Sequence, residues 1–431
     1  MQLLTVIATV AAVASALRVN KPINQALRAP VTGASAPPSP ITLPTAVAFQ
    51  SVVNPLLTKV DNIQITNWMT TLTQFPERYY TSQNGVKAAS WIQSTVQALT
   101  VPSGAKLTVN LFKHAKFAQP SVIARYEAAT PTTLQGIVIT GSHFDTAANG
   151  SPQGVGGPNP AADDCASGSV AVFETLRVLT SNGFIPGRPI EFHWYAAEEE
   201  GLYGSHEIAN AYAAKGEQVV SYLNLDQSGY VKPGTTPQIG IFTDYCTSAA
   251  TSFVTATAKA YSGLPVIGGQ KCGYECTDNA AWYDAGYNSA LAFESSNANA
   301  FPYNDQVNSD GSPLDTLDQV NVDHVAAFAK NTIGFVVELS LAGSGTQPSG
   351  TVKTTASSVV KTSAQTSSSV RPSTTVAPKC NHSECTAGPL LNKGCSACAA
   401  AVCQQDSYCC TNQWDSQCVS EVNQYCTTVT C

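Results

Sequence analysis

Between residues 49 and 342, short apolar runs alternate with segments of helical periodicity. Five of these runs are bounded by turn residues and predict strands, at residues 136–140, 189–195, 219–225, 238–242 and 289–293. Between the first two, Ser169–Ser181 has apolar residues at helical spacing, with a predicted start at Ser167 and an end at Asn182-Gly183. Strands that alternate with helices at this spacing indicate right-handed crossovers. We therefore expect an α/β fold, with a mainly parallel, twisted sheet flanked by helices.

The first 48 residues do not share this pattern. Residues 1–16 form one apolar run that ends in Ala14-x-Ala16, which predicts a signal peptide cleaved after Ala16. A membrane anchor would need about 20 apolar residues, and no later run is that long. Residues 17–48 are rich in Pro and Ala without periodicity, so we expect a propeptide or a disordered arm before the domain at 49–342.

A linker is predicted after this domain. Residues 343–379 contain no acidic residue and are dominated by Ser and Thr, so they cannot bury enough apolar surface to fold. A composition of Ser, Thr and Pro is typical of extended, O-glycosylated linkers. Asn149-Gly-Ser151 and Asn381-His-Ser383 are candidate N-glycan acceptors, and we expect a glycoprotein.

Cysteine is concentrated at the end of the chain. Ten of the 14 cysteines lie in residues 380–431, which predicts a small module held by five disulfide bonds of open connectivity. A zinc site at Cys395-x-x-Cys398 is disfavoured, because the oxidising secretory route consumes thiols. Two roles stay open for the module. It could contact a cell wall or glycans through Tyr408, Trp414 and Tyr425, or only add stability, with these aromatic residues as its core.

The composition narrows the class of protein. With 431 residues, 43% of them hydrophobic, the chain can form a sizeable core. The 22 Lys and Arg against 29 Asp and Glu give a net charge of −7, which argues against a nucleic acid or an anionic membrane surface as partner. With the predicted signal peptide, these features indicate a secreted, extracellular protein that has no membrane span, and we expect a monomer.

Acidic side chains and one imidazole follow several of the predicted strands. The set comprises His143, Asp145, Asp163, Asp164, Glu198, Glu199, Glu200 and Asp226. Because ligands of parallel sheets bind beyond the carboxyl ends of the strands, we expect these side chains to converge at one edge. Without a cation such carboxylates would repel one another. Carboxylates with an imidazole suit zinc, with manganese or cobalt as substitutes.

The adjacent Glu198 and Glu199 are informative by themselves. Neighbouring residues of a strand point to opposite faces, so both can reach a metal only where the strand has ended. Gly201 permits a bend at that point. One carboxylate can then bind the metal while the other moves a proton.

Six sequence blocks, in order, resemble those of a known family. The blocks are GSHFD (141–145), PAADDCASG (160–168), YAAEEEGLYGS (195–205), LNLDQ (223–227), FTDY (242–245) and CGYEC (272–276). They are similar to blocks of the secreted zinc aminopeptidases with two adjacent metal ions, the bacterial leucyl aminopeptidase and fungal leucine aminopeptidase type. The resemblance covers most of residues 50–342 and implies hydrolysis of peptide substrates.

The resemblance also implies the metal ligands. His143 and Asp226 would bind one zinc ion, Asp163 would bridge two ions, and Glu199 would bind the second. A cis peptide bond is implied between Asp163 and Asp164.

Two further residues receive catalytic roles from the resemblance. Glu198 would be the general base that takes a proton from the water that the metal activates, and would then give the proton to the leaving amine. Asp145 would hold the ring of the histidine ligand and its tautomer.

The resemblance also assigns the CGYEC block. Cys272 and Cys276 would form a short disulfide loop, with Tyr274 lining the substrate pocket. Cys165 and Cys246 then remain, and they either pair with each other or stay free.

The sequence departs from the family at one ligand position. Where the family has a further His, our alignment has Asn308, and a shift across a short insertion would offer Asp305 or Asp310. An amide oxygen is a poorer zinc donor than imidazole. Since loss of even a supporting partner lowers metal affinity about 10–100-fold, we expect an asymmetric site with a weak second ion.

Two functions follow as hypotheses. The first is a secreted metallo-aminopeptidase that removes N-terminal, apolar residues from peptides. The alternative is a weakened or silent homologue that binds peptides or a cell wall. The missing His supports the alternative, and the retained ligands oppose it.

Overall fold

The computed structural model describes residues 40–147, 157–304, 306–307 and 312–343, and parts of the segment 380–426. The chain divides into two compact units, Met1–Thr355 and Ala356–Cys431. The predicted signal peptide, most of the predicted arm, the linker after residue 343 and the glycan acceptors Asn149 and Asn381 lie outside the described residues. The predicted domain boundaries stay predictions.

The first unit is built on one sheet. Its strands are β1 Ala105–Phe112, β2 Ser121–Ala128, β3 Ile137–His143, β4 Ile190–Tyr195, β5 Val219–Asp226, β6 Ile239–Phe242, β7 Val266–Gln270 and β8 Ser289–Phe293. Among the described residues these eight strands have the order β1-β2-β4-β3-β5-β8-β6-β7. The central strands β4, β3, β5 and β8 run parallel, as predicted. The sheet is nevertheless mixed, because β1, β2 and β4 pair antiparallel, and so do β8 and β6.

The central strands are covered on both faces. Along β3, Ile137 and Ile139 belong to one apolar cluster, and Val138 belongs to another. Because successive side chains of a strand point to opposite faces, a strand covered on both faces needs apolar residues at nearly every position. This is why all five strands predicted from apolar runs are present in the structure.

Helices pack on both faces of the sheet. They are α1 Gln50–Leu57, α2 Asn62–Thr73, α3 Gln83–Gln97, α4 Gly168–Ser181, α5 Tyr203–Lys215, α6 Ser248–Tyr261, α7 Asn279–Asp284 and α8 Val322–Leu341. Helix α4 begins one residue before the apolar periodicity and ends at its predicted end, with Asn182 as C-cap. Its Phe173 packs against Trp68, Trp91 and Trp194, with ring centroids 4.7 to 5.6 Å apart. In the described part of the chain, no helix is both long and apolar enough to cross a bilayer.

The end of the predicted arm is packed against the domain. Leu43 is buried, and the Asn288 side chain donates a hydrogen bond to the Ile41 carbonyl at 2.8 Å. The backbone N–H groups of Ala48 and Phe49 donate to the Glu338 carboxylate at 2.7 and 2.9 Å. Residues 41–48 are therefore held by the domain that they precede.

The second unit is a small disulfide-bonded module. Its described bridges are Cys380–Cys395, Cys398–Cys426, Cys403–Cys410 and Cys409–Cys418, and Cys385 is also disulfide-bonded. Trp414 is fully buried in its apolar cluster, and the indole N–H donates to the Glu384 carbonyl at 2.8 Å. Trp414 is therefore a core residue, whereas Tyr425 is partly exposed.

Candidate metal centre

Two neighbouring parallel strands bring the first candidate ligands together. His143 is the last residue of β3 and Asp226 is the last residue of β5, and both are buried. The imidazole Nε2 of His143 lies 3.6 Å from Oδ1 of Asp226. The carboxyl ends of β3 and β5 therefore form the edge at which the sequence predicts a metal site.

The third candidate ligand at this edge is Asp164, which the structure places beside His143 instead of the predicted Asp163. Oδ1 of Asp164 lies 3.0 Å from Nε2 of His143. Oδ1 of Asp163 instead accepts the backbone N–H groups of Gly229 and Tyr230, at 2.8 and 3.0 Å. Asp163 is thus held by the backbone that follows β5, and burial raises the pKa of its carboxyl group to about 6.

The backbone at residues 161–165 explains why two adjacent carboxylates have different partners. Ala161 has a left-handed conformation, with φ of 42°, and Asp164 and Cys165 have non-helical dihedral angles within the turn that precedes α4. The cis peptide bond joins Asp164 to Cys165, so the implied position between Asp163 and Asp164 is wrong by one residue. In both cases the structure places the feature one residue later in the chain than the sequence analysis predicted.

Asp145 connects the histidine to the pair of glutamates. Oδ1 of Asp145 lies 3.5 Å from Nδ1 of His143, the ring nitrogen that faces away from the other carboxylates. The same carboxylate accepts the backbone N–H of Glu198 at 3.0 Å and that of Glu199 at 3.2 Å. Asp145 therefore fixes the backbone of the turn after β4 beside the imidazole.

The charges at this edge fit a divalent cation. Ligand atoms of His143, Asp164 and Glu199 lie within 4.8 Å of one another. Oδ1 of Asp226 is buried and accepts no hydrogen bond from the described residues. Burial alone would lower the pKa of His143, but the surrounding carboxylates, with Glu198 the strongest contributor, raise it well above its ordinary value. An oxygen-rich site with one imidazole is a donor set that suits zinc.

The other oxygen of Asp164 is held by two amides. Oδ2 accepts hydrogen bonds from Nε2 of Gln227 at 2.9 Å and from Nδ2 of Asn304 at 3.0 Å. The predicted ligand Asn308 and the alternatives Asp305 and Asp310 lie outside the described residues. The sequence analysis missed Asn304, although it stands in the same segment, and missed Gln227, although it directly follows Asp226.

Two buried residues from distant segments hold the turn that carries Asp164. Asp315 accepts the backbone N–H of Asp163 at 2.8 Å and that of Asp164 at 2.9 Å. The buried guanidinium of Arg78 donates to the carbonyls of Phe144, Pro160 and Ala161, at 2.7, 2.6 and 3.1 Å. Neither residue belongs to a metal-ligand pattern, so only the structure identifies them.

Four further cysteines and four further histidines lie in the described part of the first unit. Cys272 and Cys276 form the predicted disulfide, and Tyr274 between them is half-buried. Cys165 and Cys246 are both free thiols, which answers the question that the sequence left open. Three of these histidines have partners away from the centre, namely His114 with Glu207, His193 with Glu191, and His324 with two backbone carbonyls.

Comparisons with known proteins identify the family of this chain. The model of peptidase family M28 matches residues 121–336. Leucine aminopeptidase 1 of Arthroderma otae is 36% identical over 320 residues, which cover 72% of this chain and 82% of that protein. The chain belongs to peptidase family M28. Leucine aminopeptidase 1 of Trichophyton equinum is a similar M28 relative, 35% identical over the same shares of the two chains.

Solved structures extend the comparison to the fold of this M28 peptidase. The LapA aminopeptidase of Legionella pneumophila has a TM-score of 0.62 and 27% identity, covering 70% of this chain and 77% of that one. LapB of the same organism has a TM-score of 0.62 and 29% identity, covering 70% and 78%. Residues 378–431 match a separate domain family of unknown function, DUF8252. The resemblance inferred from the six sequence blocks is confirmed.

Proposed function

We propose that this M28 peptidase is a secreted zinc aminopeptidase that removes N-terminal, preferentially apolar residues from peptides. The observation that carries the proposal is the buried convergence of one imidazole and several carboxylates at the carboxyl ends of β3, β4 and β5. The aminopeptidase names of the relatives support the same activity.

The proposed metal ligands are His143, Asp164, Asp226 and Glu199. Nε2 of His143 faces the carboxylates while Nδ1 faces Asp145, so the tautomer with the proton on Nδ1 leaves a lone pair for a metal. When bound, zinc would supply an activated water and polarise the scissile carbonyl.

Glu198 is the proposed general base. It is buried and adjacent in sequence to the ligand Glu199, and both backbone N–H groups are held by Asp145. The carboxylate of Glu198 takes a proton from the attacking water and returns it to the amine of the leaving peptide. Asp145 acts through its neighbours, because it fixes the backbone from which Glu198 reaches the substrate.

Further parts of the proposal rest on the sequence. Secretion follows from the predicted signal peptide and from the many disulfide bonds. Tyr274 is proposed to line the pocket for the N-terminal side chain, and the Cys-rich module to contact a wall or glycans through residues other than the buried Trp414. The silent homologue is the weaker hypothesis, because the chain retains the candidate general base Glu198 and four candidate metal ligands.

Hydrolysis of leucyl-p-nitroanilide by the purified full chain, with and without zinc, tests the proposal. Glu198→Gln is expected to lower kcat about 100-fold or more, the usual contribution of a general base. Glu200→Gln is the matched control two residues away and is expected to retain activity. An N-acetylated substrate should not be cleaved. Wild-type protein that is inactive under every metal condition would overturn the proposal in favour of the silent homologue.

A further inference from the structure

We propose that this centre binds one metal ion with high affinity and that the side-chain amides of Gln227 and Asn304 take the place of a second ion. The proposal rests on the metal centre of the proposed function and deepens it. It concerns Oδ2 of Asp164, the oxygen that a bridging carboxylate would give to a second cation.

The two oxygens of Asp164 have different surroundings. Oδ1 lies 3.0 Å from Nε2 of His143, on the side where Asp226 also lies. Oδ2 accepts two hydrogen bonds, from Gln227 at 2.9 Å and from Asn304 at 3.0 Å. A carboxylate oxygen offers two lone-pair sites, and two amide donors occupy both of them. Only Oδ1 is then directed at a metal.

Gln227 is buried at the centre, and its backbone conformation is constrained. Gln227 is 5% exposed and directly follows Asp226, the last residue of β5. Its φ of 43° is left-handed, a conformation that non-glycine residues adopt mainly where the surrounding structure imposes it. A second ion at Oδ2 would have to displace this buried amide and the partly buried amide of Asn304, and a buried polar group that loses its partner is costly.

The remaining ligands suffice for one ion. His143, Asp164 and Glu199 have ligand atoms within 4.8 Å of one another, and Oδ1 of Asp226 lies 3.6 Å from the imidazole. The imidazole and the carboxylates of Asp164 and Glu199 supply the three protein ligands of a catalytic zinc ion and leave its fourth position open for water. Glu199 therefore joins the ion that His143 and Asp164 bind rather than a separate one.

Equilibrium dialysis of the full chain tests the proposal. Total zinc per chain is measured across a series of free zinc concentrations. Wild-type protein is expected to bind one ion tightly and a second at least about 100-fold more weakly, because each of two lost partners lowers affinity about 10-fold or more. The variant Gln227→Met/Asn304→His releases Oδ2 and adds an imidazole. We expect its second ion to bind more than about 10-fold more tightly than in wild type.

Three controls make the count specific. Gln227→Met/Asn304→Leu releases Oδ2 without adding a ligand, and separates the effect of the freed oxygen from that of the imidazole. His143→Ala should lose the tight ion. Asp284→Asn removes a ligand from a separate group at His206, Glu275 and Asp284, so any zinc bound there drops out of the count.

The outcomes separate this inference from the proposed function. Two ions bound with equal affinity by wild type would overturn the single-ion centre, while hydrolysis of leucyl-p-nitroanilide by that protein would still support the aminopeptidase. One tight ion without hydrolysis would support the inference and overturn the aminopeptidase. A Gln227→Met/Asn304→His variant whose second ion binds as weakly as in wild type would also contradict the role of the amides.

Discussion

At the scale of single residues, Asp163 and Asp164 show how the backbone decides the role of a side chain. Both are buried carboxylates in one turn, but Asp164 faces His143 and Asp163 accepts two backbone N–H groups. Because both are aspartates, their side-chain chemistry does not distinguish them. The backbone conformation at Ala161, Asp164 and Cys165 distinguishes them. Asp315 and Arg78, from distant parts of the chain, contact this turn.

The same pair gives a direct test. Asp164→Asn is expected to weaken zinc binding by about 100-fold or more, since the loss of even a supporting residue costs about 10–100-fold. Asp163→Asn keeps an oxygen that can accept from Gly229 and Tyr230, so zinc affinity should change little while the free energy of unfolding falls by about 1 kcal/mol. Isothermal titration with zinc and thermal denaturation measure both effects. A larger loss of zinc affinity in Asp163→Asn would restore Asp163 as the ligand.

Some site residues could be predicted from sequence because each directly follows a recognisable strand. His143, Asp226, Glu198 and Glu199 lie at the ends of β3, β5 and β4, which apolar runs identify. Asn304 could not be predicted in this way. It lies in an irregular segment between β8 and α8, where no periodicity sets the register, and only the structure shows that its amide donates to Asp164.

At the scale of the elements, the turn between β4 and α5 presents Glu198 and Glu199, the proposed general base and metal ligand. Its backbone closes through the N–H groups of Gly201 and Leu202, which both donate to the Glu198 carbonyl at 2.9 Å. Gly201 has φ of 122°, a region that side chains rarely adopt, and an added Cβ would lie 3.2 Å from the ring of Tyr203. The bend predicted from the sequence therefore depends on glycine at this position.

Gly201→Ala is expected to destabilise the protein by about 1–3 kcal/mol and to lower kcat for leucyl-p-nitroanilide, because the strained turn shifts Glu198. Gly216→Ala is the matched control at the other end of α5. It also has a positive φ, of 68°, but an added Cβ there would meet nothing within 4 Å. The control should lose about 1 kcal/mol of stability and keep its kcat. Equal loss of kcat in both variants would show that stability alone explains the effect.

Arg78 joins two loops of the candidate metal centre. Its guanidinium donates to Phe144, after β3, and to Pro160 and Ala161, before the turn that carries Asp164. Burial lowers the pKa of Arg78 to about 10, so the side chain stays protonated at neutral pH. Arg78 therefore remains a charged hydrogen-bond donor to the carbonyls of both loops.

Removal of this guanidinium should affect both stability and zinc binding. Arg78→Met leaves several buried carbonyls without a donor, so we expect a loss of about 3 kcal/mol or more and weaker zinc binding. Arg188→Met is the control, because Arg188 also donates to carbonyls, of Gln135 and Ala342, but lies before β4, at the opposite end of the strand from Glu198. It should lose stability without a change in zinc affinity. Unchanged zinc affinity in Arg78→Met would contradict the role of Arg78 in holding these loops.

At the scale of the whole molecule, the parallel centre of the sheet was predictable and its edges were not. Strands β3, β4, β5 and β8 are buried at nearly every position and rich in apolar residues, because both of their faces are covered. In β1 many side chains are only partly buried, and β7 carries Gly268 and Gly269, so neither forms an apolar run. Edge strands of this kind leave a weaker sequence signal. The predicted mainly parallel sheet is therefore confirmed, but its antiparallel pairs were not predicted.

The attachment of the N-terminal segment is the last feature at this scale. Glu338 lies in the last turns of α8, buried at 2% exposure, and accepts hydrogen bonds from Ala48, Phe49 and the Tyr261 hydroxyl. One carboxylate thus ties the segment before α1 to two helices.

Glu338→Gln replaces one acceptor oxygen with an N–H donor that faces backbone N–H groups. We expect a loss of about 2 kcal/mol or more, since hydrogen bonds to charged groups contribute about 1.5–3 kcal/mol each. Limited proteolysis should then cut faster within residues 40–50, while zinc affinity stays that of wild type. Tyr261→Phe, which removes one donor and keeps the carboxylate, is the control and should leave the cleavage rate in residues 40–50 nearly unchanged. Equal protection of this segment in Glu338→Gln and wild type would show that Leu43 and the Asn288 contact hold it without Glu338.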